Sequence, residues 1–378
     1  MTAFVRVFVP SFGLNSNELW GGDLFMSLHD KLINIKKSDW CYYDNMTLSD
    51  YKDAIQEPLF FIESYFYYAG KNKFLYESLF DFQQTDNPEQ IKRAVHTVST
   101  FFLGIYLKEK IDFLKPHNNS FLANDKNFLW AWFLCSLYHD SFFDKNEDVI
   151  VNCDYHHFSK GLLYNPDLIQ RYYEKCKTKE TAYKNEPKFD HGIVAAEKLY
   201  SNYTNMIVEE LKSMPNTFKD FISNKDLEHC GLRINYSTFS AMCKIAKIIA
   251  CHNIFVADKK EESKYEKIPE LIPGNKKFFY MPNIKNHNTM NSYEKLYFLL
   301  ALVDTLEPSK RGIDLNHIDI QADKIQHSKY VLRIETLGSI DKQKEYYNGI
   351  KQLSNWLNFV EINKDGQEIH IDFHNNKN

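Results

Sequence analysis

A chain of 378 residues is long enough for one large domain or two ordinary ones with a substantial core, and 15% aromatics with only 13 glycines favour bulky-packed helices over a turn-rich β fold. The net charge of −4 lacks the basic excess of a general nucleic-acid binder. Seven scattered cysteines with no CxxC pair read as reduced thiols in a cytoplasmic protein.

The opening MTAFVRVFVPSFGL lacks the basic-then-apolar layout of a signal peptide, and FVRVFVP alternates like a short strand. From Leu24 to about Phe82 the pattern is helical but irregular, with loops around Asp39 to Ser49. DNPEQIKRAVHTVSTFFLGIYLKEK starts a helix at Asp86 and Pro88. Its stripe is Ile91, Val95, Val98, Phe102 and Ile105, and His96 lies on a second face with Thr100, Leu103 and Leu107. An almost wholly apolar run, Phe128 to Tyr138, then ends in His139 and Asp140.

Residues 141–189 are polar and aromatic and read as an insertion, with one helix near Pro166 to Lys177. Helices follow in DHGIVAAEKLYSNYTNMIVEELK, with Asp190 as N-cap, and in STFSAMCKIAKIIACHNIF, with Ser237 or Thr238 as cap. ADKKEESKYEKIPELIPGNKK is a charged, solvated loop. NSYEKLYFLLALVDTLEPSKRG is a long apolar helix stopped by Pro308. Its apolar stretch YFLLALV and the earlier FLWAWFLCSLY are both too short to span a bilayer, so no membrane partner is expected. The grammar then changes: KYVLRIETLG reads as a strand, DKQKEYYNGIKQLSNWL as a helix, and FVEINKDGQEIHIDF as a hairpin turning at Asp365–Gly366. The expected fold is mainly α, a helical bundle with a small C-terminal α+β appendage. It divides into a mostly helical extension (1–90), a helical core (91–315) and the appendage (316–378).

Two His–Asp dipeptides occur, about what chance allows at ordinary composition. His29–Asp30 sits on an amphipathic helix where both residues can face water, and reads as structural. His139–Asp140 closes an apolar helix and needs a partner, since burying an unpaired charge costs several kcal/mol, roughly. Candidates recur in like settings: His96 on its semi-apolar face, His252 continuing the Ile245, Ile248 and Ile249 stripe, and Asp304 directly after YFLLALV. Each alone has an ordinary reading, a hydrogen-bonded core histidine or an aspartate paired with a lysine. Together they are what a divalent-metal site needs, with imidazole nitrogens as donors and carboxylates to offset the cation. His156 and His157, in the insertion, read as surface loop.

The order His96, His139–Asp140, Asp304, each on its own helix, resembles the HD-domain metal-dependent phosphohydrolases over roughly residues 91–311. The resemblance implies an all-helical bundle in which His96, His139, Asp140 and Asp304 bind a first metal and Asp140 bridges to a second. Two-metal versions add histidines, and His191 and His252 stand in those places. The glycine after His191 suits a helix start that approaches its neighbour closely. The stretch between the pair and His191 is long, neither Lys nor Gly follows the pair, and there is no GYP signature, so the substrate subfamily stays open. So do the metal's identity (Mn, Fe, Mg, Ni or Zn), the number bound (one or two) and the oligomeric state, homo-oligomer included.

The implied activity is hydrolysis of a phosphoester or phosphoanhydride, by resemblance that of a nucleotide or cyclic nucleotide, through a metal-activated hydroxide. Lys310 and Arg311, just after the Asp304 helix, either receive a substrate phosphate or complement that helix's C-terminal dipole. His191 and His252 either bind metal or protonate the leaving oxygen. Tyr155, Phe158, Tyr164, Tyr172 and Tyr173 either stack on a base or simply pack. The alternative from another class is a non-catalytic HD-type regulatory module that binds metal or nucleotide and signals through its C-terminal appendage.

Overall fold

The computed structural model describes residues 26–41, 54–68, 88–141, parts of 192–203, 227–229, 232–234, 236–252, 287–326, 329–337, 339–356, 359–365 and 368–373. The expected N-terminal strand, the insertion with its aromatic residues and His156–His157, the Asp190 cap, His191 and the charged loop lie outside these residues.

The described chain is mostly helical. Its helices are α1 (Leu28–Ile33), α2 (Lys37–Trp40), α3 (Pro58–Tyr68), α4 (Pro88–Lys110), α5 (Asp125–Tyr138), α6 (Tyr236–Cys251), α7 (Ser292–Leu306) and α8 (Ile340–Trp356). A short hairpin, β1 (Leu227–His229) with β2 (Leu232–Ile234), precedes α6. A four-stranded antiparallel sheet comprises β3 (Ile318–Gln326), β4 (Lys329–Thr336), β5 (Val360–Asp365) and β6 (Glu368–Phe373), in the order β3-β4-β6-β5. Among the described residues no helix is long and apolar enough to cross a membrane.

Helix α4 is the axis of the bundle, packed by α1, α3, α5 and α7, while α6 packs on α5 and α7. It is buried on nearly every side from His96 to Leu107, so a single stripe does not describe it. Ile91, expected on the buried stripe, is exposed. Helix α5 is buried along its length from Phe128 to Tyr138, as its unbroken apolar run requires. Helix α7 starts at a full capping box: Asn291 accepts from the backbone of Tyr293 and Glu294, and Glu294 closes back on Asn291 N. Helix α6 begins at Tyr236, so Ser237 and Thr238 lie inside its first turn rather than capping it.

The sheet lies against the bundle rather than apart from it. Register pairs Ile320 with Ile334 and Ile334 with Ile369, and Leu332 with Ile371 and Ile371 with Ile362, which puts the apolar residues on one face. Phe113, just after α4, meets Phe298 of α7 and Tyr330 and Phe373 of the sheet with ring centroids 5.5–6.0 Å apart. Strand β3 had no counterpart in the sequence reading. Its Asp, Lys and Gln residues favour strands poorly, and it is an edge strand completed by α1, where Lys31 pairs with the buried Asp319. His29, expected to face water, is 8% exposed, because α1 packs against α4 and the turn before β3.

Candidate metal centre

Helix α5 ends at Tyr138. His139 is its C-cap, still in right-handed helical conformation, and Asp140 follows in the turn. Both are buried, at 0% and 8% exposed, so the pair is not a surface turn. His96 comes from α4 and Asp304 from the last turn of α7, and one donor atom from each of the four residues lies within 4.8 Å of the others. His96 Nε2 stands 3.0 Å from His139 Nε2, 3.2 Å from Asp140 Oδ2 and 3.4 Å from Asp304 Oδ1. His139 Nε2 is 3.4 Å from Asp304 Oδ1 and 3.8 Å from Asp140 Oδ2. Donors about 2.1 Å from one ion sit about 3.0 Å apart along an octahedral edge and about 3.4 Å along a tetrahedral one. Four of the five separations, at 3.0–3.4 Å, have that spacing, and the fifth, His139 Nε2 to Asp140 Oδ2 at 3.8 Å, is wider.

The far nitrogen of each ring decides what the near one offers. His139 Nδ1–H donates to Ser136 O at 2.9 Å, which leaves Nε2 as a lone pair in the neutral ring. His96 Nδ1–H donates to Glu307 Oε2 at 2.7 Å, with the same result. Two lone pairs 3.0 Å apart repel unless a cation or a proton lies between them. A carboxylate or carbonyl behind each ring is the arrangement that orients metal-ligating histidines. The donor set therefore fits a divalent ion, held by His96, His139, Asp140 and Asp304.

Glu307, absent from the sequence reading, is fully buried. Its Oε1 accepts from Ser99 Oγ at 2.7 Å and Ser309 N at 3.0 Å, and its Oε2 accepts from Lys310 N at 3.1 Å as well as from His96. A signal was present: a carboxylate in the last residues of an apolar helix opposes the helix dipole and needs a compensating partner. Burial raises the Glu307 pKa, but His96 and the donors from Ser309 and Ser99 outweigh it and hold the carboxyl below its usual range. Burial likewise opposes ionisation of Asp304, yet the Lys310 charge and the two imidazoles keep it well below the ordinary value. For His96, burial works against the proton, and hydrogen bonds to Asp140, Asp304 and Glu307 overcome it and raise the pKa well above normal, so that a proton and a metal ion are alternative occupants of the His96 Nε2 lone pair.

His252 continues α6 and is fully buried, as its stripe predicts. Its Nδ1–H donates to Ile249 O at 2.6 Å, and its Nε2 faces Asp140 Oδ1 at 3.6 Å. Asp140 thus turns one oxygen to the four-residue cluster and the other to His252. Gly192 backs on this ring: a Cβ there would lie 2.7 Å from Ile249 O and 2.9 Å from His252 Nδ1. The expected close approach after His191 is therefore present at Gly192, while His191 itself lies outside the described residues.

The two cations after α7 part company. Lys310 Nζ sits 2.8 Å from Asp304 Oδ1 and 3.0 Å from Asp140 Oδ2. Arg311 turns away: Nη1 donates to Thr305 O at 2.9 Å, and the guanidinium lies over the Tyr346 ring of α8. It can do so because Gly349 has no side chain; a Cβ there would be 2.6 Å from Arg311 Nε. Arg311 thus has the geometry of the helix-dipole reading, and only Lys310 is brought to the carboxylates.

A cavity of about 660 Å³ lies elsewhere, lined by residues such as Ser237, Lys244 and Tyr293. Its lining runs along α6 from Ser237 to Ile248 and along α7 from Ser292 to Tyr297, and includes none of the four cluster residues.

No protein-family model matches the chain, and neither a curated protein nor a solved structure matches it.

Proposed function

We propose that the chain is a metal-dependent phosphohydrolase of the HD type, acting on a phosphoester or phosphoanhydride. One observation carries the reading: His96 Nε2 and His139 Nε2 converge at 3.0 Å with both far nitrogens committed as donors, beside Asp140 and Asp304. The order of these residues along the chain supports it, as does their origin on separate helices. His96, His139, Asp140 and Asp304 would hold a divalent ion, which would supply Lewis acidity and lower the pKa of a bound water toward neutrality.

The chain's own residues supply the rest. Glu307 and the Ser136 carbonyl orient the two imidazoles. Lys310, one-third exposed at its side chain, is the cation placed to receive a phosphate at the mouth of the site. His252 faces the outer oxygen of Asp140, where it either joins a second ion or holds a proton for the leaving oxygen. Arg311 is not part of this proposal. A nucleotide or cyclic nucleotide is the proposed substrate class, by resemblance.

A second reading is favoured by one observation. Lys310 already spans both aspartates, as it would in a purely ionic network with no metal. Elemental analysis of the purified chain, with phosphate release measured on a nucleotide panel in Mn²⁺, separates the two. Stoichiometric metal with turnover supports the hydrolase. A metal-free chain with no turnover at saturating Mn²⁺ leaves the ionic network.

A further inference from the structure

We propose that Lys310 is a tethered cation that shares the metal's carboxylates and transfers to an incoming phosphate, so that metal and phosphate bind cooperatively. This rests on the metal reading above. Lys310 Nζ takes Asp304 Oδ1 at 2.8 Å and Asp140 Oδ2 at 3.0 Å. The same two oxygens face His96 Nε2 at 3.4 and 3.2 Å, on the side where an ion would lie. Ammonium and ion therefore share acceptors in a buried site, where two neighbouring cations repel and screening is weak.

The backbone of Lys310 is fixed, since its N–H donates to Glu307 Oε2 at 3.1 Å. Among the described residues its side chain is held only by the two ion pairs, is 32% exposed, and carries a flexible four-carbon stem that lets the ammonium exchange acceptors. An anion at the mouth of the site gives the ammonium a new acceptor a short swing from the old one. With the ammonium on phosphate, the aspartates are released to the ion. Linkage makes the effect reciprocal, so phosphate tightens metal binding by the factor by which metal tightens phosphate.

Calorimetric titration of Mn²⁺ into the full chain, at neutral pH with and without orthophosphate, tests this in wild type and Lys310→Met. The expected result is Mn²⁺ affinity higher in Lys310→Met than in wild type by on the order of tenfold without phosphate. Phosphate should raise wild-type affinity by a similar factor and the variant's by clearly less. Should Lys310→Met lose its cooperative melt, the neutral, polar Lys310→Gln carries the same comparison. Equal or weaker Mn²⁺ binding by the variant overturns the proposal, as does a phosphate effect as large in the variant as in wild type. Mn²⁺ binding to neither protein overturns the metal reading itself, an outcome distinct from a metal that binds and ignores Lys310.

Discussion

Glu307 Oε2 holds His96 Nδ1 at 2.7 Å inside the protein, and four donors in all converge on this one carboxylate. An amide cannot replace it. In Glu307→Gln the NH₂ group would face either His96 and Lys310 or Ser99 and Ser309, so at least one buried donor would meet another donor. We expect a stability loss of about 1–3 kcal/mol. Metal affinity should fall by about 10- to 100-fold, as when the partner behind a metal-ligating histidine is lost. Urea melts and Mn²⁺ titration read the two effects separately. A variant with wild-type metal affinity would mean that Glu307 serves the fold alone.

Asp140 and His29 make a matched contrast, since both belong to His–Asp dipeptides and both residues are 8% exposed. Asp140→Asn removes the charge that faces His96, Lys310 and His252 and should abolish both bound metal and hydrolysis. His29→Ala should keep the wild-type metal content. It should still lower stability by about 1–3 kcal/mol, because a buried ring is lost from α1. Metal analysis and thermal melts of the two variants check this. Full metal content in Asp140→Asn would remove Asp140 from the ligand set.

The site was legible because it breaks sequence rules. Asp140 follows an apolar helix and Asp304 ends another, both where the helix dipole disfavours an acid. Such conflicts are visible without coordinates. Glu307 breaks the same rule three residues after Asp304, but next to Pro308 it reads as ordinary helix-end polarity. Lys310 and Arg311 are neighbours of like charge, and only the turn after α7, with Gly349 opposite, sends one to the aspartates and the other to Tyr346. The helix and hairpin of the C-terminal segment were legible from period and turn residues, and β4 matches its apolar run. Strand β3 was not, since its partners are β4 and the distant α1. The burial of His29 also depends on long-range packing, which an amphipathic pattern does not fix.

Asp112, between α4 and the sheet, gives a pH test of that junction. Its carboxylate accepts from Lys324 Nζ at 2.7 Å, Tyr330 OH at 2.9 Å and Lys115 Nζ at 3.2 Å, and these bonds, led by Lys324, hold its pKa below the usual carboxylate range. A depressed folded-state pKa means stability that is present above the unfolded value of about 3.9 and is lost as pH falls through the folded one. The group is half exposed, so the effect is small, on the order of 0.5 kcal/mol. Wild type should exceed Asp112→Asn in urea stability at pH about 6, and the gap should narrow steadily on acidification below about pH 4. A gap independent of pH would mean that the charge of Asp112 does not hold the sheet.

Gly192 and Gly349 offer the same substitution against two kinds of neighbour. On helix propensity alone, Ala would stabilise a helical glycine by about 1 kcal/mol. At Gly192 the new Cβ would lie 2.7 Å from a backbone oxygen, Ile249 O, and 2.9 Å from the His252 ring. Neither can yield without moving the end of α6, so the clash should win, with a net loss of about 1–3 kcal/mol. The His252 ring faces Asp140 Oδ1 at 3.6 Å, so the shift reaches the site. Gly192→Ala should therefore weaken metal binding or lower turnover as well as stability. At Gly349 the nearest atoms belong to the Arg311 side chain, which can swing into solvent at the cost of its bond to Thr305 O. Gly349→Ala should stay within about 1 kcal/mol of wild type and leave metal content unchanged. Thermal melts and Mn²⁺ titration of both variants give the comparison. If Gly192→Ala were as stable as wild type, with unaltered metal binding, the packing of Gly192 on His252 would have no bearing on the site.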